Sequence, residues 1–163
     1  MKWLLIIIGV LALLVLIVFL VGKLLPVKLT AFKEKQFTTD ISSLWSAIRN
    51  FEDYPKWRST LKTLTVINEK QWQETDSRGD IITFGIIEEI SEAKMAVKIL
   101  SDDLPFGGIW VYELTESNGA VTLKITENGE VYSPIYRFIG YFFLDQSATI
   151  KQYMIDLESR LNP

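Results

Sequence analysis

Two charged residues in the last third of the chain have types and spacing that could support chemistry. Glu127 is in phase with the apolar residues of a predicted strand and therefore points inward, and Arg137 lies one turn inside the predicted helix that follows. We interpret them as a Glu–Arg pair that fixes the helix against the sheet, because a buried carboxylate needs a partner. The alternative is a polar anchor for a ligand head group, or an acid for catalysis. Arg137 is the only charged residue between Tyr132 and Leu144, which makes it the best candidate for binding a carboxylate or phosphate.

The composition excludes several other kinds of site. The chain contains neither cysteine nor histidine, which excludes disulfides, thiolate zinc sites and Ser-His or Cys-His catalysis. We predict no metal and no cofactor, and we assign no catalytic residue, since Tyr54 and Tyr112 have no adjacent base. The net charge of −3 at pH 7 argues against nucleic acid as a partner.

Residues 1–25 are a candidate transmembrane anchor. The run from Trp3 to Gly22 carries no charge, and a helix of this length, about 30 Å, matches the hydrocarbon core of a bilayer. Lys2 and Lys23 flank the run where they can reach the head groups. A cleaved secretory signal and a buried core helix are the alternatives, but the run is long for a signal and apolar on all sides. We therefore expect the lipid bilayer to be a partner of this segment.

The side of the membrane on which the rest of the chain lies stays open. The lysines that follow the apolar run favour the inside by the positive-inside rule. A short basic N-terminus before a long apolar run is, however, also typical of anchors that export the domain behind them. The predicted localisation is single-pass membrane, with the side undetermined.

Residues 26–163 have the pattern of one α+β domain. Thr39 or Asp40 can cap a helix that ends before Pro55, and Ser133 and Pro134 can begin one long helix that runs to about Leu161. Short connections, with turn signals at Asn68, Arg78-Gly79 and Asn118-Gly119, favour an antiparallel meander with the first strand on an edge. Alternation of apolar and polar residues predicts the strands Lys28–Phe37, Leu61–Ile67, Gln71–Asp76, Asp80–Ile90, Lys94–Ser101, Gly108–Thr115 and Ala120–Val131.

Three segments of this domain resemble segments of a known family. The segments Phe51–Trp57, with its Tyr54-Pro55-Lys56-Trp57 end, Leu104–Leu114 and Thr126–Phe138 resemble the polyketide cyclase/dehydrase branch of the START-like superfamily, also called SRPBCC. The resemblance covers about residues 30–161 and implies a helix-grip fold. In that fold a curved antiparallel sheet surrounds a long C-terminal helix, with an apolar cavity between them. The superfamily includes lipid-transfer proteins, cyclases and hydratases, so the resemblance is more specific for fold than for function.

Inward-facing aromatic residues are the candidates for the wall of such a cavity. Alternation on the strand Gly108–Thr115 places Trp110 and Tyr112 on the face toward the helix, with Phe84 in phase on a neighbouring strand. The same residues could equally form a filled core. The predicted ligand-binding set is Trp57, Phe84, Trp110, Tyr112, Arg137, Phe138 and Phe142, with Glu127 and Arg137 as the possible polar anchor.

The beginning of the last predicted helix has more apolar residues than one buried stripe requires. Two rows of apolar side chains run through Ile135–Leu144, and the preceding loop Leu104–Gly108 is apolar too. Either both rows pack within the domain, or the outer row contacts the bilayer and lets the domain take an apolar molecule from it.

The sequence thus predicts a membrane-anchored START-like domain that binds a hydrophobic or amphipathic small molecule, such as a lipid. One alternative is a cyclase- or hydratase-type enzyme that uses Glu127 or a tyrosine as acid or base in the same cavity. Another is a packed domain that stabilises or recruits a membrane partner. A filled interior with an exposed apolar surface would favour this last possibility.

Overall fold

The computed structural model describes residues 2–77 and 79–162, and it begins with a long apolar helix. This helix, α1 (Lys2–Leu24), is long and apolar enough to cross a membrane, and none of its most apolar stretch is buried. The interpretation of residues 1–25 as a buried core helix is therefore wrong. Leu25, Pro26 and Val27 are the only residues between α1 and the first strand.

The described residues form a seven-stranded antiparallel sheet, as predicted. The strand order is β1-β7-β6-β5-β4-β3-β2, and β1 occupies an edge through pairs that run from Lys28 with Glu130 to Phe37 with Val121. Every predicted strand is present, with ends within two residues of the prediction. The strands are β1 (Lys28–Phe37), β2 (Leu61–Asn68), β3 (Gln71–Asp76), β4 (Ile81–Ile90), β5 (Lys94–Ile99), β6 (Phe106–Ser117) and β7 (Ala120–Val131).

The turn between β6 and β7 has the backbone conformation that its residues predicted. Asn118 and Gly119 both have positive φ, 54° and 76°, as a two-residue hairpin of the primed type requires. This turn lies at the end of the sheet opposite to Val131, where β7 leads into the C-terminal helices. Arg78, in the predicted turn before β4, is outside the described residues.

Two short helices cross from β1 to β2. The helix α2 (Ile41–Arg49) begins at the predicted cap Asp40, whose carboxylate accepts a hydrogen bond of 2.7 Å from the backbone N–H of Ser43. A single 3-10 turn then leads into α3 (Tyr54–Trp57). Residues of α2 and α3 that are buried in the core are Leu44, Trp45, Ile48 and Tyr54.

The prediction of one continuous C-terminal helix is wrong, because the segment forms two helices. These are α4 (Pro134–Phe143) and α5 (Ala148–Leu161). Between them the side chain of Asp145 accepts hydrogen bonds from the backbone N–H and the hydroxyl of Ser147, at 2.9 and 2.7 Å. Such a local side-chain bond offers the backbone an alternative to the helix. The break separates two roles: α5 covers the sheet, whereas α4 packs mainly against α1.

The core lies between the inner face of the sheet and the helices α2, α3 and α5. Tyr112 and Leu114 of β6 are buried there, as the alternation predicted, and Trp110 and Phe84 pack against the core at intermediate exposure. The contribution of α5 is Ile150, Tyr153, Met154 and Leu157. The fold is thus the predicted curved sheet with a C-terminal helix across it.

Candidate ligand-binding site

Tyr153 of α5 is at the centre of a cluster of aromatic rings between that helix and the sheet. Its ring centroid is 5.2 Å from that of Trp57 and 6.2 Å from that of Trp110. Tyr112 and Tyr54 approach it at 5.7 and 6.3 Å. Most of these contacts are edge-to-face or tilted, which is the favoured geometry for ring pairs. Rings from α3, α5 and β6 therefore surround one interior point.

The cluster continues along the inner face of β3 and β4. Trp72 is stacked on Phe84 at 5.7 Å and on Phe51 at 4.4 Å, and the ring of Tyr54 meets it edge-on at 6.3 Å. Four of the predicted ligand-binding residues, Trp57, Phe84, Trp110 and Tyr112, therefore lie in one connected cluster. We call the rings of these two paragraphs the aromatic cluster.

A buried ion pair lies beside the aromatic cluster. The Nη1 atom of Arg58 is 2.6 Å from Oε1 of Glu74, and their side chains are only 17% and 8% exposed. The same carboxylate oxygen accepts a hydrogen bond of 2.9 Å from the indole N–H of Trp72. The guanidinium of Arg58 also lies over the rings of Tyr54 and Tyr153, at 5.0 and 5.5 Å from their centroids. A cation is thus held at the edge of an otherwise apolar interior.

The tyrosine hydroxyls of the cluster differ in their hydrogen bonds. The hydroxyl of Tyr54 donates to the backbone carbonyl of Ile48 at 2.6 Å. The hydroxyl of Tyr153 is buried close to those of Tyr54 and Tyr112, but no described residue offers it a partner with the distance and angles of a hydrogen bond. Burial raises the pKa of Tyr54 to about 12, and it raises the pKa values of Tyr112 and Tyr153 well above the ordinary value. All three hydroxyls keep their protons at neutral pH, and the proton of Tyr54 is already donated to Ile48.

Glu127 lies at the edge of this region. It is the cross-strand partner of Trp110, and burial raises the pKa of its carboxyl group, although a hydrogen bond from Trp110 opposes the effect. A carboxyl group in these surroundings holds its proton to a higher pH than an exposed glutamate does.

The predicted pair between Glu127 and Arg137 does not form. The Nη1 atom of Arg137 instead donates a hydrogen bond of 2.9 Å to the backbone carbonyl of Leu25, just beyond the end of α1. Carbonyls at the C-terminal end of a helix have no partner within the helix, and the helix dipole favours a cation there. The helical conformation ends after α4 and resumes at α5, so α4 can pack on α1 instead of on the sheet. This packing directs the side chain of Arg137 toward α1.

Phe138 and Phe142 also lie apart from the aromatic cluster. Their rings contact each other on α4 at 4.9 Å, and Phe138 contacts Phe143 at 6.2 Å. The structure therefore divides the seven predicted ligand-binding residues into two groups. Trp57, Phe84, Trp110 and Tyr112 line the interior, whereas Arg137, Phe138 and Phe142 lie on α4, where Arg137 contacts the end of α1.

Four residues of the aromatic cluster and its ion pair lie outside the set predicted from sequence, namely Arg58, Glu74, Trp72 and Tyr153. The position of Glu74 in the site could have been predicted from the sequence. Glu74 lies on the same inward face of β3 as Trp72, and a charged residue on a buried face requires a partner. The helical spacing of Tyr153 with Leu157 and Leu161 predicts only that it lies on a buried stripe. Its unpartnered hydroxyl depends on tertiary contacts that the helical spacing does not specify.

A surface cleft of about 550 Å³ adjoins the aromatic cluster at Trp57. The cleft lies between α2, α3 and the end of α5, and its other walls are largely polar. Its lining includes Ser42, Ser46, Asn50, Arg160 and Leu161. Trp57 therefore separates the interior rings from an open groove.

Comparison with known proteins identifies the fold. A START superfamily protein from Mycobacterium smegmatis superposes with a TM-score of 0.65 at 14% identity, over 82% of this chain and 97% of that one. A conserved protein from Geobacillus kaustophilus gives 0.68 at 14% identity, over 82% and 95%. Norcoclaurine synthase from Thalictrum flavum gives 0.66 at 10% identity, over 83% and 87%. No family model and no curated protein sequence matches the chain. These likenesses show that the chain has the START-like fold that its sequence motifs predicted.

Proposed function

We propose that this chain is a membrane-anchored START-like domain that binds a hydrophobic or amphipathic small molecule between its sheet and α5. The observation that carries the proposal is the hydroxyl of Tyr153, which is buried among aromatic rings without a hydrogen-bond partner in the described residues. An unsatisfied buried hydroxyl costs about 1–3 kcal/mol of stability. A polar group of a bound molecule would remove that cost.

The surroundings of Tyr153 indicate the chemistry of the ligand. Aromatic faces favour an apolar body, and the ring edges and hydroxyl favour a small polar group. Arg58 adds a positive charge within 5.5 Å of the Tyr153 ring, already balanced by Glu74. We therefore expect a largely apolar molecule with one polar or weakly acidic group, as lipid-like molecules have.

The surface cleft supplies a route of entry. Trp57 belongs to α3, a helix of only four residues, and it lies between the cleft and the ring of Tyr153. Rotation of this one indole would connect the groove with the interior. The described interior is filled by side chains, so binding requires such a rearrangement.

The anchor is the second part of the proposal. The helix α1 has the length and hydropathy of a membrane span, and it exposes its apolar side chains except where α4 packs on its last turns. Exposed apolar surface of this extent requires a lipid or protein partner. A bilayer would satisfy it, and it would keep the domain beside a reservoir of hydrophobic molecules.

Native mass spectrometry of the full chain in detergent micelles tests this function. We expect an additional stoichiometric mass after incubation with a lipid extract, and we expect that mass to disappear on denaturation. Tyr153→Phe should weaken binding about threefold to tenfold, the equivalent of one lost hydrogen bond. Tyr132→Phe, at an exposed tyrosine outside the cluster, is the matched control. A chain that stays free of ligand would instead support a packed domain that recruits a membrane partner.

Glu127 favours a second candidate function, an enzyme of the cyclase or hydratase type. Its carboxyl group has a raised pKa beside the ring of Trp110, and a raised pKa favours the protonated form that a general acid needs. One structural neighbour is named as a synthase. Turnover in a substrate screen that Glu127→Gln abolishes, without loss of ligand binding, would support this candidate over simple binding.

A further inference from the structure

The helix α4 has an apolar surface that nothing in the described structure covers. Its only charged residue, Arg137, is buried, whereas most of its large apolar residues are exposed, Phe143 by 73%. This surface consists of Tyr136, Ile139, Tyr141, Phe142, Phe143 and Leu144. We call it the α4 surface. A contiguous exposed patch of aromatic and aliphatic side chains marks an interaction site.

The contact between α4 and α1 is close and specific. Gly22 is buried against the first turn of α4, where an added Cβ would lie 1.9 Å from the carbonyl oxygen of Pro134. The hydrogen bond from Arg137 to the carbonyl of Leu25 holds the second turn of α4 against the end of α1. Val18 and Val21 are partly shielded on the same side of α1. The two helices are therefore joined over the last two turns of α1.

The position of this contact fixes the depth of α4. Val18 and Gly22 lie within the uncharged run of α1, which ends just before Lys23. If the run spans the hydrocarbon core, its last turns lie at the boundary between acyl chains and head groups. A helix packed against these turns lies at the same boundary. Tyrosine and phenylalanine are well suited to that layer.

We propose that α4 is a second membrane element, which lies in the interfacial layer beside the end of α1 and buries the α4 surface in lipid. The inference rests on the proposed membrane anchor. Arg137 fits this placement because it is turned away from the lipid and neutralises the C-terminal end of α1. The occupant is a bilayer rather than a second copy, because α4 packs on the last turns of α1, whose own apolar side chains are exposed and need the same apolar surroundings.

Site-directed spin labelling tests the placement in the full chain. The sequence contains no cysteine, so single labels can be introduced without removing native thiols. Phe143→Cys reports on the α4 surface and Leu11→Cys on the middle of α1. Ser117→Cys reports on the exposed end of β6, beside the turn at the far end of the sheet. Each variant is reconstituted in phosphatidylcholine vesicles, and its accessibility to oxygen and to a water-soluble nickel chelate is measured. All three positions are exposed, so the labels should leave the fold intact.

We expect the labels at positions 143 and 11 to be accessible to oxygen and protected from nickel, with the reverse pattern at position 117. If the label at position 143 is accessible to nickel while the label at position 11 is protected from it, the placement of α4 in the membrane is overturned but the proposed anchor α1 is not. Low accessibility to both reagents at position 143 would overturn it in favour of a protein partner, such as a second copy. Nickel accessibility at position 11 would contradict the anchor itself.

Discussion

The two hydroxyls of Tyr54 and Tyr153 lie in the same cluster but have opposite hydrogen-bond status. Tyr153→Phe should either leave the free energy of unfolding unchanged or raise it by about 1–3 kcal/mol. The substitution removes a buried hydroxyl that had no hydrogen-bond partner, and with it the cost of burying that group. Tyr54→Phe should lower it by about 0.5–1.5 kcal/mol, because its bond to Ile48 is lost. Urea unfolding of the full chain in micelles, followed by near-UV circular dichroism, measures both. Equal losses for the two variants would show that Tyr153 has a partner.

The buried ion pair between Arg58 and Glu74 predicts a large loss of stability when the charge of Glu74 is removed. Glu74→Gln should lower the free energy of unfolding by about 3–5 kcal/mol, because it leaves a buried guanidinium unpaired. Glu88→Gln breaks the exposed pair with Lys94 and should cost about 1 kcal/mol or less. The same urea titration compares them. A similar small loss in both would mean that Arg58 reaches water.

The carboxyl group of Glu127 predicts a dependence of stability on pH. Burial raises its pKa in the folded state above the ordinary value of 4.5, so the folded state binds its proton more tightly than the unfolded state does. The protonated carboxyl group therefore contributes to the free energy of unfolding. This contribution is fully present below pH 4.5 and is lost as the pH rises through the raised pKa of the folded state. Melting temperatures between pH 4 and 8 should therefore fall more with rising pH for the wild type than for Glu127→Gln. Parallel curves would contradict a buried carboxyl group.

Single residues were predictable from sequence only where their direction followed from strand alternation. Trp110 and Tyr112 face the core because their phase on β6 requires it. The pairing of Glu127 with Arg137 was wrong because it assumed that the last helix stays on the sheet. The partner of a long polar side chain depends on which elements meet, and that information is not local.

At the scale of elements, the strands were predictable and the C-terminal break was not. Alternating side chains and turn residues such as Asn118-Gly119 set the ends of strands locally. The helical spacing of apolar residues, by contrast, continues from Phe142 through Thr149 to Tyr153, across the break. The Asp145 turn interrupts the helix without disturbing that spacing, so periodicity alone predicts one helix.

The contact of α4 with α1 depends on a glycine. Gly22→Leu should separate the helices, since even a Cβ would overlap the carbonyl of Pro134. Gly9→Leu is the matched control, because a Cβ there meets nothing within 4 Å. Hydrogen exchange of the α4 amides in vesicles should accelerate in the first variant and stay unchanged in the second. Equal protection in both would mean that α4 is held by other contacts.

For the whole molecule, α1 is part of the fold as well as the proposed anchor. A fragment 28–163 lacks the carbonyl acceptor of Arg137 and uncovers the inner side of α4. We expect this fragment to aggregate without detergent, and we expect Phe142→Ser with Phe143→Ser to restore much of the monomer in size-exclusion chromatography. Phe32→Ser, which removes an exposed phenylalanine from β1, should not help. A monomeric fragment without substitutions would show that α4 packs elsewhere in the absence of α1.

The shortness of the segment Leu25–Val27 limits how far the domain can travel. Three residues reach at most about 10 Å, which is less than the radius of gyration of about 14 Å expected for a domain of this size. With α1 in a bilayer, the domain cannot cross the aqueous space to another membrane or carry cargo over a distance. Any molecule that it binds must be exchanged locally, with lipids of the same membrane or with a partner that comes to it. Its role would then be to retain or hand over a molecule at one place, unlike a freely diffusing carrier.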